Sequence, residues 1–190
     1  MNTTTRRTRL FVLAVSAAAL AATTCVVSTT KMWDRGDATA AAFFFLFGLI
    51  AQLLEFSRGK GLVGTIASLP FLAVSALAPN VSALSSVVLS LVLGEFLNRR
   101  DFLKGLFNVT QHLLATALAI LAYLALGGAS LLVEARPSLV AFAGLFVTYM
   151  IVNRALVAGV LSIVTRTAFR RELYTGTRGT LLYDLLALPL

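Results

Sequence analysis

Hydrophobic positions in this chain of 190 residues come in long blocks with few charges, separated by short polar segments and without sustained alternation of period two. At about 1.5 Å per helical residue, roughly 20 apolar residues cross a hydrocarbon layer about 30 Å thick, so the blocks predict spanning helices. Six are expected, near Leu10–Ser28, Thr39–Phe56, Gly61–Ala78, Val81–Leu97, Gly105–Leu126 and Ser138–Val164. A last apolar stretch opens at Leu181 and reaches Leu190, too few residues to span, and reads as the start of a seventh helix or an interfacial tail. The expected fold class is all-α: a polytopic transmembrane helix bundle of six spans plus the start of a seventh, forming one transmembrane domain over 1–190.

Composition strengthens this reading. With 58% hydrophobic and 13% charged residues, the chain has too much apolar surface for one soluble core of this length, so a bilayer must act as solvent. Ala and Leu dominate over β-branched runs, which favours helices over a barrel. The first block follows Arg6, Arg7 and Arg9 and so fits the start of a signal peptide. Its length, and the spans that follow at once, favour a retained signal anchor. Cys25 lies inside this block, preceded by Ala-Thr-Thr rather than a lipoprotein-type small-residue pattern, and is expected to be a buried small hydrophobe.

Charge then sets the expected orientation, because Lys and Arg near helix ends are retained on the cytoplasmic side. With the N-terminus inside, the inner segments hold Arg6, Arg7, Arg9, Arg58, Lys60, Arg99, Arg100, Lys104, Arg166, Arg170, Arg171 and Arg178. The outer loops hold only Lys31, Arg35 and Arg136. Topology therefore accounts for the net charge of +8, and no nucleic-acid partner is expected. The implied location is the inner, or plasma, membrane, multi-pass, with the N-terminus cytoplasmic and membrane lipids as partners.

Local signals refine the spans. Ala78-Pro79-Asn80 predicts a tight outer hairpin, with Pro79 ending one helix and Asn80 capping the next. Pro70 falls in the middle of the third expected span and should kink it. Trp33 is placed like an interfacial anchor. Ser82, Ser86, Ser90 and Gly94 recur at steps of four and predict a packing seam, with Ala155 and Gly159 a second one. The segment Arg166 to Arg171 is expected either to continue as a short helix or turn along the inner leaflet or to form a solvated cytoplasmic loop.

Polar groups at membrane depth mark where function is sought, since a charge there is costly and normally faces a partner or cavity. Gln52 and Glu55 close the second span. Counted at about 1.5 Å per residue, Glu95 of the fourth span and Arg154 of the sixth lie roughly 21 Å and 24 Å from the outer end, level with Asn108 and Gln111 of the fifth. The expected site is a polar intramembrane cluster of Glu95, Asn108, Gln111, His112, Asn153 and Arg154, with Glu95 and Arg154 as its charge pair. It is either a ligand, ion or proton site, or a structural network joining helices. No metal is expected at the single histidine, and no cofactor is implied. The chain has no HExxH, G-x-S-x-G, Walker loop or dinucleotide fingerprint, so no catalytic residue is expected and the chain is not read as an enzyme.

The stretch Leu91 to Gly128, with G-E-F-L-N-R-R, L-F-N-V-T-Q-H-L-L and Y-L-A-L-G-G, together with V-N-R-A-L-V at Val152 to Val157 and the L-L-A-L-P-L ending, resembles the N-terminal membrane regions of bacterial cyclic-di-GMP signalling proteins. In those proteins the bundle precedes a cytoplasmic HD-GYP or GGDEF domain. The resemblance extends over most of the chain in hydropathy and is specific over Phe107 to Gln111 and Val152 to Arg154. It implies a sensory or anchoring role, with a cytoplasmic signalling domain or partner membrane protein, and carries no nucleotide turnover because the sequence stops before a catalytic domain would begin. Size and helix count are also similar to the substrate-binding membrane component of an energy-coupling-factor transporter. A structural subunit of a larger membrane complex is the third reading.

Overall fold

The computed structural model describes residues 3–30, 35–54, 56–57, 63–64, 66–134 and 138–175. Within them lie six main helices: α1 (Thr3–Thr29), α2 (Arg35–Leu53), α3 (Ser68–Leu77), α4 (Val81–Leu97), α5 (Phe102–Ala125) and α6 (Leu139–Thr165). A short α7 follows over 169–175. Between α2 and α3, β1 (Phe56–Ser57) and β2 (Val63–Gly64) pair antiparallel over two residues each, Phe56 opposite Gly64 and Ser57 opposite Val63. Trp33, Glu55 and the apolar stretch from Leu181 lie outside the described residues.

Four helices, α1, α2, α5 and α6, are long and apolar enough to cross a membrane. They carry bulky apolar side chains on their outer surface, among them Leu20, Phe43, Phe47, Ile50, Val147 and Ile151. So much exposed apolar surface is what a lipid-facing wall requires, and it is far more than a soluble monomer shows.

The third expected span is where structure and expectation part. Instead of a helix over Gly61–Ala78, the structure has a ten-residue helix from Ser68 to Leu77, preceded by the β1–β2 pairing. At about 1.5 Å per residue α3 is roughly 15 Å long, half a hydrocarbon layer. Pro70 therefore sits in the first turn, where its missing N–H has no carbonyl to serve, and it does not kink a helix middle. Six of the ten α3 residues, Pro70 to Leu72 and Val74 to Ala76, are buried, so this half-length element is walled in by its neighbours.

Caps fix the other boundaries. Asn80 accepts the Ser82 backbone N–H at 2.8 Å and starts α4 as expected, Asp101 starts α5 by accepting from Leu103, and Ser138 starts α6 by accepting from Ala141. At the far end of α4 the chain turns through Arg99 at φ 50°, with N–H bonds from Arg99 to the Phe96 carbonyl and from Arg100 to that of Glu95. Gly127, at φ 80°, closes α5 in the same way, with Gly127 and Gly128 donating to the carbonyls of Leu124 and Tyr123. The Y-L-A-L-G-G motif is this cap: the Tyr123 ring lies over Gly128, where a Cβ would stand 2.5 Å from it, and the Tyr123 hydroxyl donates to the Ala129 carbonyl at 2.8 Å.

Packing follows the small residues. On α1, Val12, Val15, Ala19, Ala22 and Val26 recur at alternating steps of three and four and face the core, so Cys25 falls off the stripe. Its thiol is exposed on the outer wall, correcting the expected burial. The Ser82, Ser86, Ser90 and Gly94 stripe is a seam against α2. A Cβ on Gly48 would lie 3.0 Å from the Ser90 hydroxyl, and one on Gly94 would lie 3.2 Å from the Gln52 Cβ. The Ser82 and Ser86 hydroxyls have no hydrogen-bond partner among the described residues, so their small size accounts for their place in the seam. The constant offset of the pairs Gly48 with Ser90 and Gln52 with Gly94 means that α2 and α4 run parallel. In the second expected seam, Gly159 admits the Phe11 ring of α1, where a Cβ would be 2.8 Å from Cζ.

Among the described residues α5 is the central helix. It packs on α1, α3, α4 and α6, leaving only α2 of the main helices out of reach. Arg166 at the end of α6 donates to the Thr4 hydroxyl at 2.9 Å, and the start of α5 lies beside Thr5 and Arg9 of α1. These contacts gather Arg6, Arg7, Arg9, Arg99, Arg100, Lys104, Arg166, Arg170 and Arg171 at one end of the bundle, its basic end.

Candidate functional site

The polar residues singled out from the sequence lie along α5 in a ladder rising from the basic end. The lowest rung joins α5 to α4: Asn108 Nδ2 donates to Glu95 Oε1 at 2.9 Å, and the Arg100 guanidinium stands 3.5 Å from the same oxygen. The turn at Arg99 brings Arg100 back over the helix that carries Glu95. Gly105, on the facing turn of α5, packs against this side chain, and a Cβ there would lie 3.5 Å from Glu95 Oε2, an ordinary contact distance. The Glu95 side chain is only 11% exposed, and its Oε2 has no hydrogen-bond partner among the described residues.

The next two rungs join α5 to α6. Gln111 Nε2 donates to Asn153 Oδ1, and His112 Nδ1 lies 2.8 Å from the Tyr149 hydroxyl. Gln111 and His112 are adjacent on α5, while Tyr149 and Asn153 are one turn apart on one face of α6, so antiparallel helices bring both pairs into register. The His112 ring also meets Phe71 of α3 edge to face, with centroids 5.7 Å apart at 72°, and stacks at 6.2 Å on Tyr149. Three helices thus converge on one imidazole.

Of the expected cluster, the structure brings Glu95 to Asn108 and Gln111 to Asn153, and it places His112 beside them. It does not bring Glu95 to Arg154. Depth alone suggested that pair, but α5 stands between α4 and α6, which have no contact with each other. Glu95 is met by Arg100 instead. Tyr149 was missed as the partner of His112, although its place one turn before Asn153 is a signal that could have found it.

A second polar contact, at the opposite end, was also missed. Asn80 Nδ2 donates to Asp37 Oδ2 at 2.7 Å while its Oδ1 caps α4, so one amide clamps the starts of the parallel helices α2 and α4. Both side chains are buried, and Asp37 is the acidic residue in the first turn of α2, where the helix dipole favours it.

Chemically, the ladder offers amides, one carboxylate, one imidazole and one phenol, all tied to neighbours. Among the described residues no three His, Cys, Asp or Glu side chains are grouped as metal ligands. The arrangement couples α5 to α4 and to α6.

Comparison with known proteins places the chain. No curated protein and no solved structure matches it significantly. A family model, MASE9, matches residues 10–190, nearly the whole sequence, and the chain therefore belongs to the MASE9 family of membrane-associated sensor domains.

Proposed function

We propose that this chain is the sensory and anchoring module of a bacterial signalling protein, held in the inner membrane with its basic end in the cytoplasm. Family membership supports the sensory part, and the gathering of Arg and Lys at one end supports the orientation. In this reading each of the six expected spans contributes a crossing, the third through α3 together with the paired segment before it. The chain itself performs no catalysis and needs no cofactor.

The observation that carries the reading is the way α5 divides its polar contacts. Asn108 holds α4, whereas Gln111 and His112 hold α6. The end of α6 continues into residues 166–175 at the basic end, where a cytoplasmic output domain would be joined. A shift at the Phe71, His112 and Tyr149 contact therefore moves α6 relative to the central helix, and that displacement is the signal. The resemblance over Leu91 to Gly128 makes a GGDEF or HD-GYP domain the natural output.

The test uses the whole protein in its own cells. Cyclic-di-GMP is measured for wild type, Gln111→Leu and His112→Phe, alongside the amount of protein in the membrane. A several-fold change of output at unchanged amount is expected. Unchanged output in both variants would overturn the coupling role, and copurification with an ATP-driven coupling protein would favour a transporter component.

A further inference from the structure

We propose that the groove between the starts of α1 and α5 binds one anionic phospholipid from the leaflet around the basic end. This site is distinct from the α5 ladder, and the inference requires only that the bundle sits in a bilayer.

α1 and α5 run parallel and touch through Phe11 and Phe107, whose ring centroids are 6.2 Å apart. Toward their starts an open groove lies between them. Its floor is apolar, built by Val12 and Leu13 of α1 and by Leu103 and Leu106 of α5. Its mouth is polar, with Thr5 and Arg9 on one side and Asp101 and Phe102 on the other. From Thr5 to Leu13 the helix rises about 12 Å, which takes a ligand from the headgroup layer into the hydrocarbon.

Headgroup charge is selected at the mouth. Arg9 lines it, and Arg6 and Arg7 stand exposed nearby on α1. Among the described residues that line the groove the acidic side chain is Asp101, which caps α5 by accepting the Leu103 N–H at 3.0 Å. Phe102, 81% exposed, is the kind of aromatic that settles at headgroup level. A free phosphate would meet the cations but leave the apolar floor bare, whereas a phospholipid covers both. A zwitterionic headgroup brings its own cation to the Arg side chains, so the anionic class is favoured.

The test is native mass spectrometry of the full chain in detergent, incubated with phosphatidylglycerol or phosphatidylcholine at equal mole fraction. One phosphatidylglycerol per chain is expected, at several-fold higher occupancy than phosphatidylcholine. Arg9→Gln should lower it about fivefold. Leu13→Trp, at a side chain already 60% exposed, should fill the floor and abolish retention without disturbing the core. Circular dichroism of each variant verifies the fold. Equal occupancy of the two lipids, displacement by millimolar inorganic phosphate, or an equal loss in Arg170→Gln would overturn the site.

Discussion

Asn108 and Glu95 are joined across the α4–α5 turn by an amide that donates to a mostly buried carboxylate at 2.9 Å. A hydrogen bond to a charged group contributes about 1.5–3 kcal/mol, and losing it leaves the acceptor desolvated. Asn108→Leu should therefore lower thermal stability in detergent by that order. In a double-mutant cycle with Glu95→Gln the two changes should couple by at least about 0.5 kcal/mol, whereas Glu95→Gln and Arg154→Gln should add independently. Additivity in the first cycle would sink the assignment.

The end of α5 separates two reasons for glycine. Gly127 has a left-handed backbone and open space around it, so Gly127→Ala should cost about 1–2 kcal/mol of backbone strain. Gly128 lies under a ring, so Gly128→Ala must displace Tyr123 and should cost about 1–3 kcal/mol by overpacking. Measured in a Tyr123→Ala background, where the ring is gone, Gly128→Ala should cost less than in wild type while Gly127→Ala should cost the same, as read from detergent melting curves.

Parallel register between α2 and α4 can be trapped chemically. In a Cys25→Ser background, Gly48→Cys with Ser90→Cys should cross-link on oxidation, because the Gly48 Cβ position lies 3.3 Å from the Ser90 Cβ, close to disulfide spacing. Gln52→Cys with Gly94→Cys should do the same. A cross-link in the mismatched pair Gly48→Cys with Gly94→Cys would disprove the register.

Orientation is checked by labelling from outside the cell. In the same background, a membrane-impermeant maleimide should reach Gly36→Cys and miss Asp101→Cys. Labelling in the opposite sense would invert the topology and place the output of α6 on the wrong side for a cytoplasmic domain.

Hydropathy made five helix positions legible to within about three residues at most boundaries, because a bilayer imposes one length on every segment that crosses it. The third block misled for a related reason. Apolarity reports an environment free of water, not the length of a helix, and the short, walled-in α3 satisfies it as well as a lipid-facing span would. The polar cluster was half legible. Depth put Asn108 level with Glu95, which the structure joins, and Gln111 level with Arg154, whereas Gln111 bonds to the neighbouring Asn153. Partner choice depends on which helices are neighbours, and nothing in the spacing of Glu95 and Arg154 reveals that α5 stands between them. The Arg100 contact needed the left-handed turn at Arg99, at a residue type that seldom adopts it.

The centrality of α5 also bears on how the chain enters its membrane. Of the four helices long enough to cross, α5 is the most buried and the least apolar, and it carries Asn108, Gln111 and His112 at membrane depth. Insertion machinery reads hydropathy segment by segment, and each such side chain counts against a helix that arrives alone. For α5 the compensating groups, Glu95, Asn153 and Tyr149, sit on the segments synthesised just before and after it. The innermost helix therefore settles in the bilayer together with its flanking partners. Biogenesis of the domain is paced by its middle, and truncation just after α5 should strand that helix at the membrane surface rather than leave a shorter bundle.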